Sequence, residues 1–584
     1  MGRKAATFLA LAATATSASA VASTQVTTAA SCMALSAPTV ANATVVSMQA
    51  MQMINMPVAM ANGSTMPLSF CDVNVTLTHG TVGDRVRVEV WLPLAVDWNG
   101  RFQGTGGSGF SAGLFAAALG PAIMDGYAAA STDAGLNLAN FTGANTPLNR
   151  QLLNNFAMLS VHEMALVGKD LVQQFYGMPA AKSYFNGCST GGRQGMMEAQ
   201  RFPTDFDGVL AASPAINWDR LLPAELWPFS VMQQADEVVP ACVLDALAGG
   251  VLAACDPLDG VTDGIVSNPG ACTFDPTTLV GRGIACNATS TTITAAQASV
   301  FAKMLTGPTA PGRNQQLWYG LLPGTSPTAL AGGSAPFVLG ANWLGKFVLT
   351  LNPNASSSLS AQGINTVLAT QQAFAAVFQQ SQTLFDSIIG TDDPNLQRFQ
   401  NAGGKLLSWH GLADQLVFPN GTFDYTQRVI DLMDQAAVDD FFRVFSAPGV
   451  QHCGGGAGAV PLDPLAALVA WVENGTAPDT LPARRTSVNG TTITRNLCRY
   501  PQMLVYNGGS VAGSDPNTAE SWTCVPGPNQ QVIAQQTASE TTPPRLNVIS
   551  GSAALHHYAA KAVAAASLPA LLAFTALDRV KHFF

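Results

Sequence analysis

Apolar and polar positions alternate with a period of two over Val73 to Leu77 and again over Val86 to Trp91, as in half-buried strands. Further extended runs occur at Lys182 to Asn186, at Phe441 to Phe445, and from Lys405 to a turn carrying Asp414. Helical spacing marks Leu159 to Tyr176, Gly192 to Arg201, Thr292 to Leu305 and Ala361 to Ile388. Gly/Pro/Ser-rich breaks at Gly307 to Gly312 and Gly332 to Pro336 interrupt the long middle section. At the N-terminus, Arg3 and Lys4 precede an apolar stretch, Ala5 to Ala15, and then the small residues Ala18-Ser19-Ala20. That pattern predicts a signal peptide over residues 1–20, with cleavage after Ala22 as the alternative.

Composition narrows the class. The chain has 584 residues, 48% of them hydrophobic, enough for one large core or two domains. A net charge of −9 speaks against nucleic acid or an anionic membrane surface as a partner. Ten cysteines, an even number in an exported chain, predict five disulfides. Nine Asn-x-Ser/Thr sequons, at Asn42, Asn62, Asn74, Asn140, Asn287, Asn354, Asn420, Asn474 and Asn489, favour a eukaryotic secretory route and a secreted, extracellular glycoprotein. The apolar run Ala562 to Leu577 is short for a membrane span. Ser550-Gly551-Ser552 before it resembles a GPI-anchor signal, but the charged end Asp578 to Phe584 argues against one. No membrane partner is expected, and residues 536–584 read as a disordered or amphipathic tail.

The chemistry centres on Gly187-Cys188-Ser189-Thr190-Gly191, between an extended run and a helical one. A Gly-x-Ser-x-Gly turn in that setting is the nucleophile elbow of α/β-hydrolases, whose glycines permit a sharp turn that exposes the serine oxygen. Far downstream come Asp414, at the end of a strand-like run, and His452, just after another. The order Ser189, Asp414, His452 is that of α/β-hydrolases. A serine hydroxyl needs an imidazole to take its proton, and the imidazole needs a carboxylate to hold its tautomer. Asp424, Asp439 and Asp440 compete for the acid, but none ends a strand. Cys188 precedes the candidate nucleophile and Cys453 follows the candidate base. If serine and histidine meet, their neighbours come within reach of a disulfide.

Upstream, Trp98 to Phe102 leads into the glycine-rich loop Gln103-Gly104-Thr105-Gly106-Gly107-Ser108-Gly109. In an α/β-hydrolase such a loop supplies one oxyanion-hole N–H, here Gly106 or Gly107, and the residue after the nucleophile, Thr190, supplies the other. A phosphate-binding role is excluded because no Gly-Lys-Ser/Thr follows. His410 beside the acid turn reads as a packing residue, and His162 and Glu163 as residues on a helix face. Asp133 could line the cleft.

These segments together resemble the tannase and feruloyl esterase family of secreted α/β-hydrolases. The resemblance rests on Cys-Ser-Thr-Gly-Gly at 188–192, His-Gly-x-x-Asp at 410–414 and Pro-Gly-x-x-His-Cys-Gly-Gly at 448–455. Arg201-Phe202-Pro203-x-x-Phe206-Asp207-Gly208 and Ser213-Pro214-Ala215 add to it, and similar segments run from about residue 65 to about 530. It implies the pairs Cys188–Cys453, Cys32–Cys71, Cys255–Cys272 and Cys498–Cys524, leaving Cys242 and Cys286 to each other. It also bears on Cys255 to Ile265, whose aspartates and glycines by themselves read as a surface turn. Related enzymes bind a structural Ca²⁺ there, which implies side-chain ligands at Asp256, Asp259 and Asp263 and carbonyl ligands at Val261 and Ile265. The family commonly has a histidine after Asp-x-Gly where this chain has Leu136, so any role of that histidine is not carried over.

The expected architecture is therefore an α/β-hydrolase fold with a large lid domain inserted between nucleophile and acid. Residues 21–215 and 396–535 form the catalytic domain, and 216–395 the inserted lid with the calcium site. An autonomous second domain is the alternative, but neither boundary shows a flexible linker. The expected activity is hydrolysis of aromatic carboxylic esters, feruloyl or related cinnamoyl esters or galloyl esters, presented as small esters or on plant polysaccharides and tannins. Trp318, Tyr319, Trp343 and Phe347 could stack a phenolic ring, and core packing accounts for them equally well. Alternatives are a hydrolase of aromatic diacid half-esters and a catalytically silent binding protein on the same scaffold.

Overall fold

Nine strands join in one sheet in this computed structural model, which describes residues 32–527 apart from 60–63, 81–82, 137–148, 288, 313–314, 350–360 and 509–513. The expected signal peptide and the tail at 536–584 lie outside the described residues. The first seven strands are β1 (Thr44–Ala59), β2 (Thr65–Thr78), β3 (Val86–Pro93), β4 (Arg101–Thr105), β5 (Ala128–Thr132), β6 (Lys182–Cys188) and β7 (Gly208–Ala212). After a separate hairpin, β8 (Gly283–Cys286) and β9 (Thr289–Thr292), come β10 (Lys405–Gly411) and β11 (Phe442–Ala447). Their order in the sheet is β1-β2-β3-β5-β4-β6-β7-β10-β11. β1, β2, β3 and β5 pair antiparallel, and every pairing from β5 to β11 is parallel. The parallel strands read as apolar runs because helices cover both of their faces.

Two apolar layers flank this sheet. One packs Val88, Phe102, Phe185 and Val209 against the helix α1 (Ser160–Tyr176), through Met164, Val167 and Leu171. The other gathers Tyr184, Leu210, Trp409 and Phe445 with Leu468 and Trp471 from a C-terminal helix. The helix α2 (Thr190–Arg201) follows β6 and is buried along nearly its whole length.

Residues 216–395 leave the sheet after β7 and return to it at β10. They form mainly helices, among them α3 (Trp218–Ala224), α4 (Trp227–Gln234), α5 (Ala241–Cys255), α6 (Ala295–Thr306) and α7 (Gln371–Ile389). Their core of Trp218, Trp227, Phe301, Trp343, Phe347 and Phe374 is continuous with Phe110 and Phe156 of the sheet-bearing part. The stretch predicted as one helix from Ala361 to Ile388 is two, Ala361–Leu368 and α7. Thr370 breaks it, its side chain accepting from the Ala373 N–H as an N-cap. α6 starts at Ala295, after a Thr294–Gln297 capping box, three residues later than the spacing suggests. β1 has no counterpart among the predicted elements. It is an edge strand exposed along much of its length, with Met51 64% and Ile54 63% accessible, so it lacks a clean period of two.

Candidate active site

β6 ends in the turn that sets the site. Ser189 lies at the end of that strand with φ 63° and ψ −122°, and α2 starts at the next residue. This is a strained backbone for a non-glycine residue, of the kind found where function requires it. The turn is possible because Gly187 and Gly191 touch: a Cβ on Gly187 would stand 2.5 Å from the Gly191 carbonyl carbon. Ser189 is fixed by its own backbone, its N–H donating to Ala212 O at 3.1 Å and its carbonyl accepting from Ala215 N at 3.0 Å.

Three distant segments converge on this turn. His452 Nε2 is 3.0 Å from Ser189 Oγ, and His452 Nδ1 is 2.8 Å from Asp414 Oδ2. Ser189 and His452 are half-buried, whereas Asp414 has no accessible surface. The other carboxylate oxygen, Asp414 Oδ1, accepts from the Leu416 and Val417 amides, both at 2.9 Å. Burial alone would push the Asp414 carboxyl up, but His452 and His410 beside it hold it well below the usual carboxylate range. It is therefore ionised at neutral pH. Asp424 pairs with Arg428 and Asp439 with Arg499, away from this cluster.

Cys188 and Cys453 form a disulfide with their Cα atoms 5.9 Å apart. Cys453 Sγ lies 3.8 Å from His452 Nε2, so the bridge borders the Ser189–His452 contact. The remaining bridges are Cys32–Cys71, Cys242–Cys286, Cys255–Cys272 and Cys498–Cys524.

The glycine loop lies against the start of α2. A Cβ on Gly106 would stand 2.4 Å from Gly191 Cα. The Gly106 N–H donates to Asn186 O at 3.0 Å and the Gly107 N–H to Gln194 Oε1 at 2.9 Å. Both expected glycine donors are thus engaged within the protein. The Thr190 hydroxyl donates to Gly109 O at 2.6 Å, while no acceptor among the described residues takes the Thr190 N–H. That amide, in the first turn of α2, is available to a developing negative charge.

Arg193, one turn along α2, went unmarked in the sequence. It is fully buried and donates to the Ala157 and Phe156 carbonyls at 2.7 and 2.9 Å. Those carbonyls belong to a π-helical turn, Asn155–Leu159, leading into α1, and burial pushes the Arg193 guanidinium down to about 9. The Asp133 side chain caps a turn, its Oδ1 accepting from Arg87 N and Gly135 N at 2.8 and 2.7 Å. His162 pairs with Asp205, and Glu163 with His79. Trp343 and Phe347 are buried and stacked on each other at 4.6 Å, and Trp318 is buried too, which makes them core residues; Tyr319 packs against that core.

The acidic loop closes on itself. Asp256 accepts from Asp263 N and Gly264 N, Asp259 from Val261 N, and Asp263 from Ile265 N. Arg495 is the cation paired with this loop, 3.1 Å from Asp263 Oδ2. Asp259 Oδ2 is buried with no hydrogen-bond partner. Burial, opposed by Arg495 and reinforced by the other two aspartates, pushes the Asp263 carboxyl up to about 6. Three carboxylates against one guanidinium, with one buried oxygen unpartnered, is a donor set that suits a hard cation. Among the described residues no three His, Cys, Asp or Glu side chains are gathered at metal-binding distance, so a cation would have to draw them together.

Residues 71–525 match the profile of the family described as tannase and feruloyl esterase. The chain is 46% identical over 477 residues to a probable feruloyl esterase of Arthroderma benhamiae, covering 78% of this chain and 86% of that protein. The solved structure of a tannin acyl hydrolase from Aspergillus niger superposes with a TM-score of 0.75 at 25% identity, covering 87% of this chain and 96% of the other. Feruloyl esterase B from Aspergillus oryzae gives a TM-score of 0.69 at 27% identity, covering 85% and 100%.

Proposed function

The chain belongs to the tannase and feruloyl esterase family, and from that premise we propose that it is a carboxylic ester hydrolase of aromatic esters working through a Ser189–His452–Asp414 triad. The observation that carries this is the unbroken chain Ser189 Oγ, His452 Nε2, His452 Nδ1, Asp414 Oδ2, with links of 3.0 and 2.8 Å. Ser189 Oγ attacks the ester carbonyl as His452 Nε2 takes its proton, and the ionised Asp414 stabilises the imidazolium. The tetrahedral oxyanion accepts from the Thr190 N–H, the elbow amide with no acceptor among the described residues. His452 returns the proton to the departing alcohol, leaving an acyl-enzyme on Ser189. Water, deprotonated by His452, then attacks that ester and releases the acid.

The relatives named feruloyl esterases favour feruloyl and related cinnamoyl esters over galloyl ones. Residues 216–395 act as a lid that shapes the acyl site and excludes water. Five disulfides and the sequon-rich sequence fit a protein exported through an oxidising compartment. A structural Ca²⁺ held by Asp256, Asp259 and Asp263 with the Val261 and Ile265 carbonyls would neutralise the acidic loop and rigidify it. It takes no part in the reaction.

Two measurements test the reading. A fluorophosphonate probe labels the wild type and fails to label Ser189→Ala; a wild type that resists labelling is a binding protein. A panel of methyl ferulate, methyl caffeate, methyl gallate and p-nitrophenyl acetate follows. Turnover of the acetate alone removes the aromatic assignment.

A further inference from the structure

His410 is fully buried at the end of β10, four residues before Asp414. Its Nε2 lies 3.2 Å from Asp414 Oδ2 and 2.9 Å from Val417 O. Its Nδ1 lies 2.9 Å from the hydroxyl of Thr422, in the first turn of the helix α8 (Pro419–Met433). A carboxylate and a carbonyl only accept hydrogen bonds, so Nε2 carries the proton, and the Thr422 hydroxyl can donate to Nδ1. The protein thereby fixes this tautomer from both sides of the ring.

A histidine that served packing alone would have no need of the acid's carboxylate. Here two imidazoles share one oxygen: Asp414 Oδ2 takes His452 Nδ1 and His410 Nε2. Because Oδ1 is held by the Leu416 and Val417 amides and His410 also grips the Val417 carbonyl, strand end, acid turn and carboxylate form one closed hydrogen-bonded unit. We propose that His410 is a positioning residue, whose Nε2–H sets the direction of the Asp414 carboxylate and shares its charge with His452. The proposal rests on the triad reading above.

The sign of its effect follows from that sharing. The charged or titratable groups facing Asp414 are His410, His452 and, from the helical insertion, Glu225. Burial, and then Asp414, push the Glu225 carboxyl well above its ordinary value. With the His410 donor gone, the negative charge of Asp414 falls more fully on the His452 bond. The acid limb of the rate profile then moves up.

Two polar replacements separate positioning from packing. A glutamine amide reaches about as far as Nε2, toward Asp414, whereas an asparagine amide reaches about as far as Nδ1, toward Thr422. His410→Asn should lower kcat by roughly tenfold with KM nearly unchanged, and raise the acid limb of kcat/KM by about half a pH unit. His410→Gln should keep the wild-type limb and most of kcat. Activities are scaled to the fraction of protein labelled by the fluorophosphonate, so misfolded material does not enter. The proposal is overturned if both variants keep the wild-type limb, or if both shift it equally. Asp414→Asn is the separate control: undiminished turnover there would defeat the triad reading itself, whatever the two His410 variants do.

Discussion

Cys188 and Cys453, 265 residues apart in sequence, are bonded to each other immediately beside Ser189 and His452. The bridge ties the turn after β6 to the loop after β11, strands separated in the sheet by β7 and β10. A disulfide closing so long a loop typically contributes about 2–4 kcal/mol. Its larger effect here should be on alignment, since Ser189 and His452 are the chain neighbours of the bridge. Replacing both cysteines by alanine should lower kcat by roughly a hundredfold while leaving a cooperative thermal transition, reduced by several degrees. Steady-state kinetics alongside calorimetry decide this; a variant with wild-type kcat shows that the sheet alone aligns the triad.

The contact between Gly106 and Gly191 is equally specific. An added methyl at residue 106 would meet Gly191 Cα at 2.4 Å, and neither partner has a side chain that can move aside. Gly106→Ala should therefore push apart the glycine loop and the start of α2, displacing the Thr190 amide. Loss of one oxyanion donor costs about 10²–10³ in turnover. The expected result is a fall of that order in kcat, with slower fluorophosphonate labelling of Ser189. A wild-type kcat in Gly106→Ala would show that the loop absorbs the added methyl without disturbing the site.

How much of this was legible depends on the kind of signal. The elbow, the acid turn and the histidine loop could be read because each chemistry-bearing residue sits at the end of an apolar strand, where type and position coincide. The Cys188 and Cys453 flanks were readable for the same reason. β1 was not, since an exposed edge strand has no buried face to impose a period. Arg193 was not, because its partners are the main-chain carbonyls of Phe156 and Ala157, and a π-helical turn leaves no mark in residue types. His410 was read as packing. It is indeed buried, but whether an imidazole touches a carboxylate depends on the path of the chain between residues 414 and 417, which four letters do not specify.

A second buried histidine gives a pH-dependent prediction. His79 lies between Asp84, 2.6 Å from Nδ1, and Glu163, 2.7 Å from Nε2, and Asp84 also accepts from Asn155. Burial would push the His79 imidazole down, but the two carboxylates raise it above its ordinary value of 6.5. Its folded form thus holds the proton more tightly than the unfolded chain. The stabilisation is complete below about pH 6.5 and is lost as pH rises through the folded value. His79→Gln should be destabilised, by about 3–5 kcal/mol at the acidic end, because a buried carboxylate pair loses its cation. The difference from wild type in chemical denaturation should shrink as pH rises above about 6.5. A constant difference would mean that His79 is neutral in the fold.

Calcium should act on stability and leave turnover alone. If the acidic loop binds the ion, millimolar Ca²⁺ should raise the melting temperature by about 3 °C, chelation should reverse it, and kcat at 25 °C should stay constant. Asp259→Asn removes the charge behind the unpartnered buried oxygen and should abolish the calcium response. A melting temperature indifferent to both ion and chelator would leave Arg495 as the loop's whole counter-charge.

The sequon at Asn420 should stay unmodified. Asn420 and Thr422 are 0% and 1% accessible, and Gly421 between them lies under the Trp318 ring, where even a methyl would come within 2.9 Å. The Thr422 hydroxyl, which a glycosylating enzyme must reach, faces His410 inside the acid-turn assembly. A sugar attached during synthesis would have to be buried there, so the first turn of α8 could not close. By contrast Asn42, Asn287, Asn474 and Asn489 are exposed in the fold. Glycopeptide mapping of protein secreted from a eukaryotic host should find glycan among those four and none at Asn420. Asn420→Gln should secrete no better than wild type, and worse if the amide is needed at the start of α8. Active protein carrying a glycan at Asn420 would mean that this turn, and with it the surroundings of Asp414, is open during folding long enough to be rebuilt around a sugar.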